Sequence, residues 1–451
     1  MQDSIVVDVR TLGANRRKST IKEAWEMLSA IPKGVFGMLL PVALFAAGIM
    51  LCAASQGSVT ETMEGFSYST LALIVSMEVF TNLMAKTGFM EWVAVKLAII
   101  TEGRQKVLLA ALSGFMFLVS STMNNITAVL CVLPCVFVLF KVIVPDKRYL
   151  STFFAVLLAT SNLGGAASGV GDLPAILIMN TGIVSFTEYT IRAFPCFAAT
   201  TAAIIAFWTG MLRVRGVKEN PDATRLAINV LEVQYRYVKV DFKTLIPLFM
   251  VLIAMLCCWI AIPQSLMGPE VIAVVGCITA VALYHLFGGE PSQVVNMGSI
   301  FTIASFLFVA SAIASTGVLF EVAESLRGIA SDDKTYLLLV LVLTSLISGL
   351  VGAGPAAAVC LPIITELASV SFSANCPFVM VAYGAAICAG SSLFMWSATA
   401  GFILSGKVGG AQLSDATGGE YSWSIADYFP YGLVNYIIQM SIALAVAFVV
   451  I

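Results

Sequence analysis

Charge is what this chain has least of. Asp, Glu, Lys and Arg together make up 11% of its 451 residues, where a soluble domain carries about 25%. That is too little polar surface to coat a globule of this size in water, so a soluble fold is excluded. Histidine is nearly absent, with His285 alone, and none of the ten cysteines forms a CxxC pair. Cys131 and Cys135 are one helical turn apart and Cys257 and Cys258 are adjacent, all within apolar runs. Soft-metal and haem sites need clustered Cys/His ligands, so the cysteines read as small packing residues and no cofactor is expected. The protease motifs HExxH and GxSG are missing. Net charge is −2, which gives nucleic acid no footprint. The first 32 residues are polar and basic (Arg10, Arg16, Arg17, Lys18, Lys22) and lack the short apolar core and small-residue cleavage site of a secretory signal. They read as a cytosolic flank.

What the chain has is apolar length: 59% of its residues are hydrophobic. Stretches near the roughly 20 residues needed to cross a bilayer core fall at 33–54, 69–86, 151–182, 191–212, 244–262, 269–287, 297–315, 377–406 and 428–451. The two longest, 151–182 and 377–406, are rich in Gly, Ala and Ser midway. Between the spans lie two pairs of shorter limbs, 105–121 with 126–143 and 335–350 with 356–370. At about 15–18 residues, or roughly 22–27 Å of helix, each limb is short for a crossing, and each pair reads as a re-entrant hairpin. Lys and Arg crowd the N-terminus, Lys86 to Lys106, Lys141 to Arg148 and Arg213 to Lys243, while 55–68 and 263–268 contain none. Positive charge stays cytoplasmic. The N-terminus is therefore expected inside the plasma (inner) membrane and the C-terminus, after nine crossings, outside.

Short motifs recur in order. Thr87-Gly88-Phe89-Met90-Glu91 is answered by Thr316-Gly317-Val318-Leu319-Phe320-Glu321, and Cys131-Val132-Leu133-Pro134 by Val359-Cys360-Leu361-Pro362. Gly164-Gly165 is answered by Gly390-Ser391-Ser392. Five crossings separate the starts of the two series, and an odd number inverts the second copy. The expected fold is an all-α polytopic membrane protein of two inverted repeats, each with a re-entrant helical hairpin and a broken transmembrane helix. The expected divisions are a flank at 1–32, a first repeat at 33–212, a basic linker at 213–243, a connecting helix at 244–268 and a second repeat at 269–451. Inverted repeats with interrupted helices are a transporter architecture with the site at the midplane.

Irregular backbone at membrane depth survives only where it lines a cavity or meets protein. Ser161-Asn162-Leu163-Gly164-Gly165 through Gly171-Asp172-Leu173-Pro174 is such a segment. Asp172 is either an ion ligand or proton carrier, or the N-cap of the helix that Pro174 starts; the two roles are compatible. Asn124-Asn125-Ile126-Thr127, at the tip of the first hairpin, offers amide and hydroxyl groups for a cation or an oxyanion, or simply makes the turn. Glu78, mid-span in 69–86, is a candidate proton site, and Glu366, in the last limb and near the outer surface, is a lesser candidate. The second half is poorer. Its hairpin tip, Gly349 to Pro355 with Gly354, has no polar side chain, and its break offers Ser391, Ser392, Ser397 and Thr399 but no acid.

These residues resemble the ion transporter superfamily, which groups arsenite permeases, sodium/proton antiporters of the NhaD type, citrate and dicarboxylate carriers and the melanosomal P protein. Its members repeat patterns close to "tGlfe.la", "SAflDNvTt…P" and "sNiGGaat.iGDpPN". Here these run Thr87 to Ala94, Ser121 to Thr127, and Ser161 to Pro174. The resemblance implies a hairpin tip and broken helix that together bind Na⁺ or substrate, and it alone suggests a homodimer. The chain departs from the pattern at three places. Asn124 stands where the family has the hairpin Asp, Ala175 where it has the closing Asn, and Ala353-Gly354-Pro355 where it has the second "DN.P".

The expected function is a secondary carrier in the lipid bilayer, moving a small ion against a Na⁺ or H⁺ gradient, with Na⁺/H⁺ antiport favoured because Lys and Arg at membrane depth are missing. The alternative is a Na⁺- or H⁺-coupled carrier of citrate, a dicarboxylate or an oxyanion. A channel would lack saturable, gradient-dependent flux. Gly169-Val170-Gly171-Asp172 matches the GxGD of intramembrane aspartyl proteases, but that chemistry needs two carboxylates and no second Asp is at depth. An enzyme is not expected.

Overall fold

The computed structural model describes residues 33–54, 62–63, 66–214, 221–235, 240–262, 266–290, 297–316, 318–398, 400–415, 419, 421 and 423–450. Their helices, in chain order, are α1 (Lys33–Ala54), α2 (Tyr68–Lys86), α3 (Phe89–Ile100), α4 (Gln105–Ser120), α5 (Asn125–Ile143), α6 (Lys147–Ala167), α7 (Leu173–Asn180), α8 (Phe186–Val214), α9 (Pro221–Tyr235), α10 (Phe242–Ala261), α11 (Pro269–Leu286), α12 (Met297–Ser315), α13 (Val318–Ile329), α14 (Asp333–Val351), α15 (Ala353–Val370), α16 (Cys376–Ser391), α17 (Gly401–Gly410) and α18 (Ile425–Val450). The molecule is an all-α polytopic membrane protein, with ten helices among the described residues long and apolar enough to span a bilayer. Apolar side chains that would be misplaced in water, such as Phe45, Met50, Phe249, Ile253 and Ile278, are exposed around the outer helices and suit contact with lipid.

The two broken spans of the sequence are each two helices. The first is α6 and α7, separated by 168–172; the second is α16 and α17, separated by 392–400. α6 is the most enclosed element, its apolar window wholly buried. It packs against α4, α8, α16 and α18, while α16 packs against α14 and α18. The hairpin limbs run longer than the sequence suggested. α5, α14 and α15 have 19, 19 and 18 residues and reach crossing length. For α5 and α14 the physical reason lies at their starts. Asn124 caps α5 by accepting the Ile126 amide, and Asp332 caps α14 by accepting that of Thr335, so each helix begins ahead of its apolar run. Those same Thr335 hydrogen bonds hold the Asp332 carboxyl below the usual carboxylate range.

Three helices have no counterpart in the sequence reading. α3 and α13 are 12 residues each, too short to cross. Gly88, at φ 73°, turns the chain from α2 into α3 in a left-handed conformation that glycine tolerates. α9 lies inside the stretch read as a polar linker and packs on α5 and α3 through Thr224, Ala227 and Leu231.

The ends of the bundle sort cleanly. At one end Lys147 pairs with Asp427 at 3.0 Å, Ser151 meets Tyr421 at 3.0 Å, and the Asp241 amide donates to the Thr87 carbonyl at 3.1 Å. At the other, Ser311 donates to the Thr62 carbonyl at 2.7 Å, Asn180 donates to Thr70 at 2.5 Å, and the Arg192 guanidinium lies 5.3 Å from the centre of the Phe378 ring. Across the middle, Trp208 of α8 donates to Asn435 of α18 at 2.8 Å, and Asn435 donates to the Ala155 carbonyl of α6 at 3.4 Å. Trp208→Phe strands a buried amide oxygen and is expected to cost about 1–3 kcal/mol. A fall in thermal midpoint of the detergent-solubilised protein, with transport retained, checks it.

Candidate functional site

The first break begins where α6 runs out. Ser168 takes an extended conformation, and the last carbonyls of α6 lose their helical donors. Asp172 then caps α7, its Oδ1 accepting the Leu173 amide at 2.9 Å, and Pro174 occupies the first turn. The cap reading of Asp172 therefore holds, and its second oxygen does something further. Oδ2 accepts from Asn125 Nδ2 at 2.7 Å, at the start of α5. Asn125 is the hub of the cluster. Its Oδ1 accepts a short bond from Ser120, and its Nδ2 also lies 3.5 Å from Asn162 Oδ1. Asn162 donates to Ser391 Oγ at 3.2 Å, at the end of α16, and its carbonyl accepts from Cys388 Sγ at 3.6 Å. Asp172, Asn125, Asn162 and Ser391 thus form one buried polar chain linking the first hairpin tip to the first break and to the end of α16.

Close backbone approach makes this geometry attainable. A Cβ on Gly164 would collide with the Phe117 carbonyl and lie 2.8 Å from Ser120 Cβ; one on Gly165 would lie 2.5 Å from Asn125 Oδ1 and 2.7 Å from Asp172 Cβ. Ser120 Oγ shares its one proton between Asn125 Oδ1 and the Ser161 carbonyl, 2.7 Å away, stitching α4 to α6. The same contacts recur later in the chain. A Cβ on Gly390 would collide with the Ser345 carbonyl and lie 2.7 Å from Ser348 Cβ, and Ser348 donates to the Ile387 carbonyl at 2.8 Å. Tyr189 donates to the Ala166 carbonyl at 2.9 Å, and Tyr428 to the Ser392 carbonyl at 2.8 Å.

Other expected residues lie nearby but apart from the chain. Asn124 turns back to cap its own helix, Thr127 donates to Asn82 of α2 at 3.2 Å, and the Ser161 hydroxyl donates to Leu158 of its own helix. Glu78 is buried on α2, one turn before Asn82. Gly354 brings the second hairpin tip onto α7, where its Cβ would meet Leu173 Cδ2 at 2.5 Å; Pro355 follows, half-buried. Ser392 donates to the Cys388 carbonyl at 2.9 Å, and Ser397 folds back on its own break. Thr399 lies outside the described residues, and Glu366 is exposed.

Three polar partners escaped the sequence reading: Ser120, Asn82, and Gln439 of α18, which donates to Ser392 Oγ at 2.9 Å. An amide inside an apolar span was a usable signal for Asn82 and Gln439, because such groups demand a partner away from water. Among the described residues no group of three or more His, Cys, Asp or Glu side chains is placed to hold a metal ion.

A buried polar chain thus joins the start of α5, the break before α7 and the end of α16, the setting in which carriers place their sites; with the family match that follows, the protein is a secondary transporter that moves a small solute across a membrane and not an enzyme. Residues 26–449 match the family described as Citrate transporter (CitMHS), and the chain belongs to that family. It is 28% identical over 335 residues to an uncharacterized transporter of Mycobacterium tuberculosis (strain ATCC 25618 / H37Rv), covering 72% of this chain and 75% of that one. It is 24% identical over 410 residues to the magnetosome protein MamN of Magnetospirillum gryphiswaldense, covering 88% and 91%. A shorter match, 29% over 138 residues, links it to the P protein of Mus musculus, covering 31% and 16%.

Proposed function

We propose that the chain is a Na⁺- or H⁺-coupled carrier of a small organic anion of the citrate or dicarboxylate kind. The family match moves the weight from the Na⁺/H⁺ antiport that the acids alone favoured to this alternative. The observation that carries it is the chain Asp172–Asn125–Asn162–Ser391. It offers one acid, two amides and a hydroxyl, with no Lys or Arg. Amides and hydroxyls can bind carboxylate oxygens without carrying charge. A carboxylate beside Asp172 would be repelled unless a cation came with it. Asp172 is the group to hold that cation, which couples the two fluxes.

The inverted-repeat reading supports this site at mid-depth. Gly390 lies 226 positions after Gly164, and the glycine, serine and tyrosine contacts around one recur around the other. Both hairpin tips reach the first turn of α7, and from there α7 continues for eight residues, about 12 Å, to the far end at Asn180. A tip that stops so far short supports re-entrance. The end holding Lys147, Arg148 and Lys243 is assigned to the cytoplasm, with the repeats at 33–212 and 269–451 and the linker 213–243 between them.

The test is uptake of labelled citrate and dicarboxylates into proteoliposomes with an imposed Na⁺ or pH gradient. Accumulation that requires the gradient is expected. Na⁺ efflux driven by a pH gradient with no carboxylate present, and no carboxylate uptake, would sink the reading and restore antiport.

A further inference from the structure

The helix α9 takes no part in the polar chain at the breaks, and its side chains fall into three strips along the helix. Thr224, Ala227 and Leu231 are buried against α3 and α5. Asp222, Arg225, Asn229 and Glu232 form an exposed polar strip beside them. The third strip is Leu226, Val230 and Val233, spaced i, i+4, i+7 and exposed at 57%, 38% and 71%. Three branched apolar side chains on one open face of a 15-residue helix are out of place in water. Ile100, at the end of α3, and Val107, near the start of α4, are exposed as well.

Charge indicates what covers this face. In the sequence, α9 is bracketed by Arg213, Arg215 and Lys218 on one side and by Arg236, Lys239 and Lys243 on the other. An apolar stripe between basic flanks is the pattern of a helix lying in an anionic lipid surface. A cavity of about 500 Å³ opens between α9 and the turn that joins α3 to α4. Ile99 and Ile228 line it together with Arg104, Arg225 and Asn229, and Glu102 is the one acid. Arg104 pairs with Glu102 at 2.6 Å. A guanidinium has five donors, so one carboxylate leaves donors over, and Arg225 adds a second guanidinium to the same wall. Two guanidiniums and an amide above an apolar floor match a phosphate carried at the head of an acyl chain.

We propose that α9 docks on the anionic leaflet at the basic end of the bundle, with its apolar stripe among the acyl chains and a phospholipid headgroup in the cavity beside Arg104 and Arg225. Because α9 packs on α5, this contact links the leaflet to the helix whose first turn carries Asn125. Its test is amide hydrogen exchange of the whole protein in lipid nanodiscs. With about one-third phosphatidylglycerol, the α9 amides are expected to exchange about tenfold more slowly than in pure phosphatidylcholine. Arg225→Gln is expected to lose most of that difference, and the triple variant Leu226→Ser, Val230→Ser and Val233→Ser to lose the protection in both lipids. All four positions are exposed, and an unchanged thermal midpoint shows that the fold stands. Equal exchange of wild-type α9 in the two lipids would overturn the proposal. Slowing by inorganic phosphate in detergent without lipid would overturn it by making the cavity a site for a free anion. Slowing in detergent that grows with protein concentration would overturn it by making a second copy of the chain the occupant. None of these readouts measures transport, so their failure leaves the carrier reading intact.

Discussion

Asp172→Asn leaves the protein folded in the membrane and abolishes gradient-driven uptake. The variant keeps the shape of the side chain, and its amide oxygen can still accept the Leu173 amide that starts α7. What changes is the far side. The carboxylate oxygen that accepts from Asn125 at 2.7 Å is replaced by a donor facing a donor, or Asn125 must turn and give up its bond from Ser120. More important, the only formal charge in the Asp172–Asn125–Asn162–Ser391 chain disappears. Hydrogen bonds to charged groups contribute about 1.5–3 kcal/mol, and a cation losing its counter-charge in a dry site loses at least that much. A drop of about a hundredfold or more in gradient-driven uptake is expected. Gel filtration of the solubilised protein should show an unchanged elution profile. Normal uptake with normal gradient dependence would remove Asp172 from the ion site.

Gly390→Ala, by contrast, acts on folding. The added methyl has nowhere to go, because it collides with the Ser345 carbonyl and comes within 2.7 Å of Ser348 Cβ. The obstacle is main chain, so no side-chain rotation relieves it, and α14 and α16 must part along a buried seam. Overpacking of a well-filled core costs about 1–3 kcal/mol, and a backbone obstacle places this variant at or above the upper end. Low yield of folded protein and a depressed thermal midpoint are expected, with Gly164→Ala behaving likewise against the Phe117 carbonyl. Gly210→Ala in α8 is the control, because a Cβ there meets nothing within 4 Å. Equal midpoints for Gly390→Ala and Gly210→Ala would contradict the packing described here.

Much of the fold was legible because apolar length is a strong signal in a chain this poor in charge. The run at 33–54 and that at 297–315 coincide with α1 and α12, and the Gly-rich interiors of the two longest runs mark the ends of α6 and α16. α3, α9 and α13 were not legible, because surface helices of 12–15 residues mix polar and apolar positions and announce no crossing. In the site, the sequence pointed to both Asn124 and Asn125 but could not separate them. One residue of helix register decides it: Asn124 outside α5 bends back to cap it, while Asn125 inside the first turn faces Asp172. Ser120, Asn82 and Gln439 matter through partners 41, 45 and 47 positions away, a separation that no local pattern encodes.

The hydrogen bond from Asn162 to Ser391 and the contact from Cys388 to the Asn162 carbonyl tie α6 to α16, just ahead of their breaks, across 229 and 226 positions of chain. Parting them would leave the buried Asn162 side-chain amide without its Ser391 partner, at about 1–3 kcal/mol, while Ser391 keeps its bond to the Cys388 carbonyl. Separation of α6 from α16 at this point is therefore expected to be resisted.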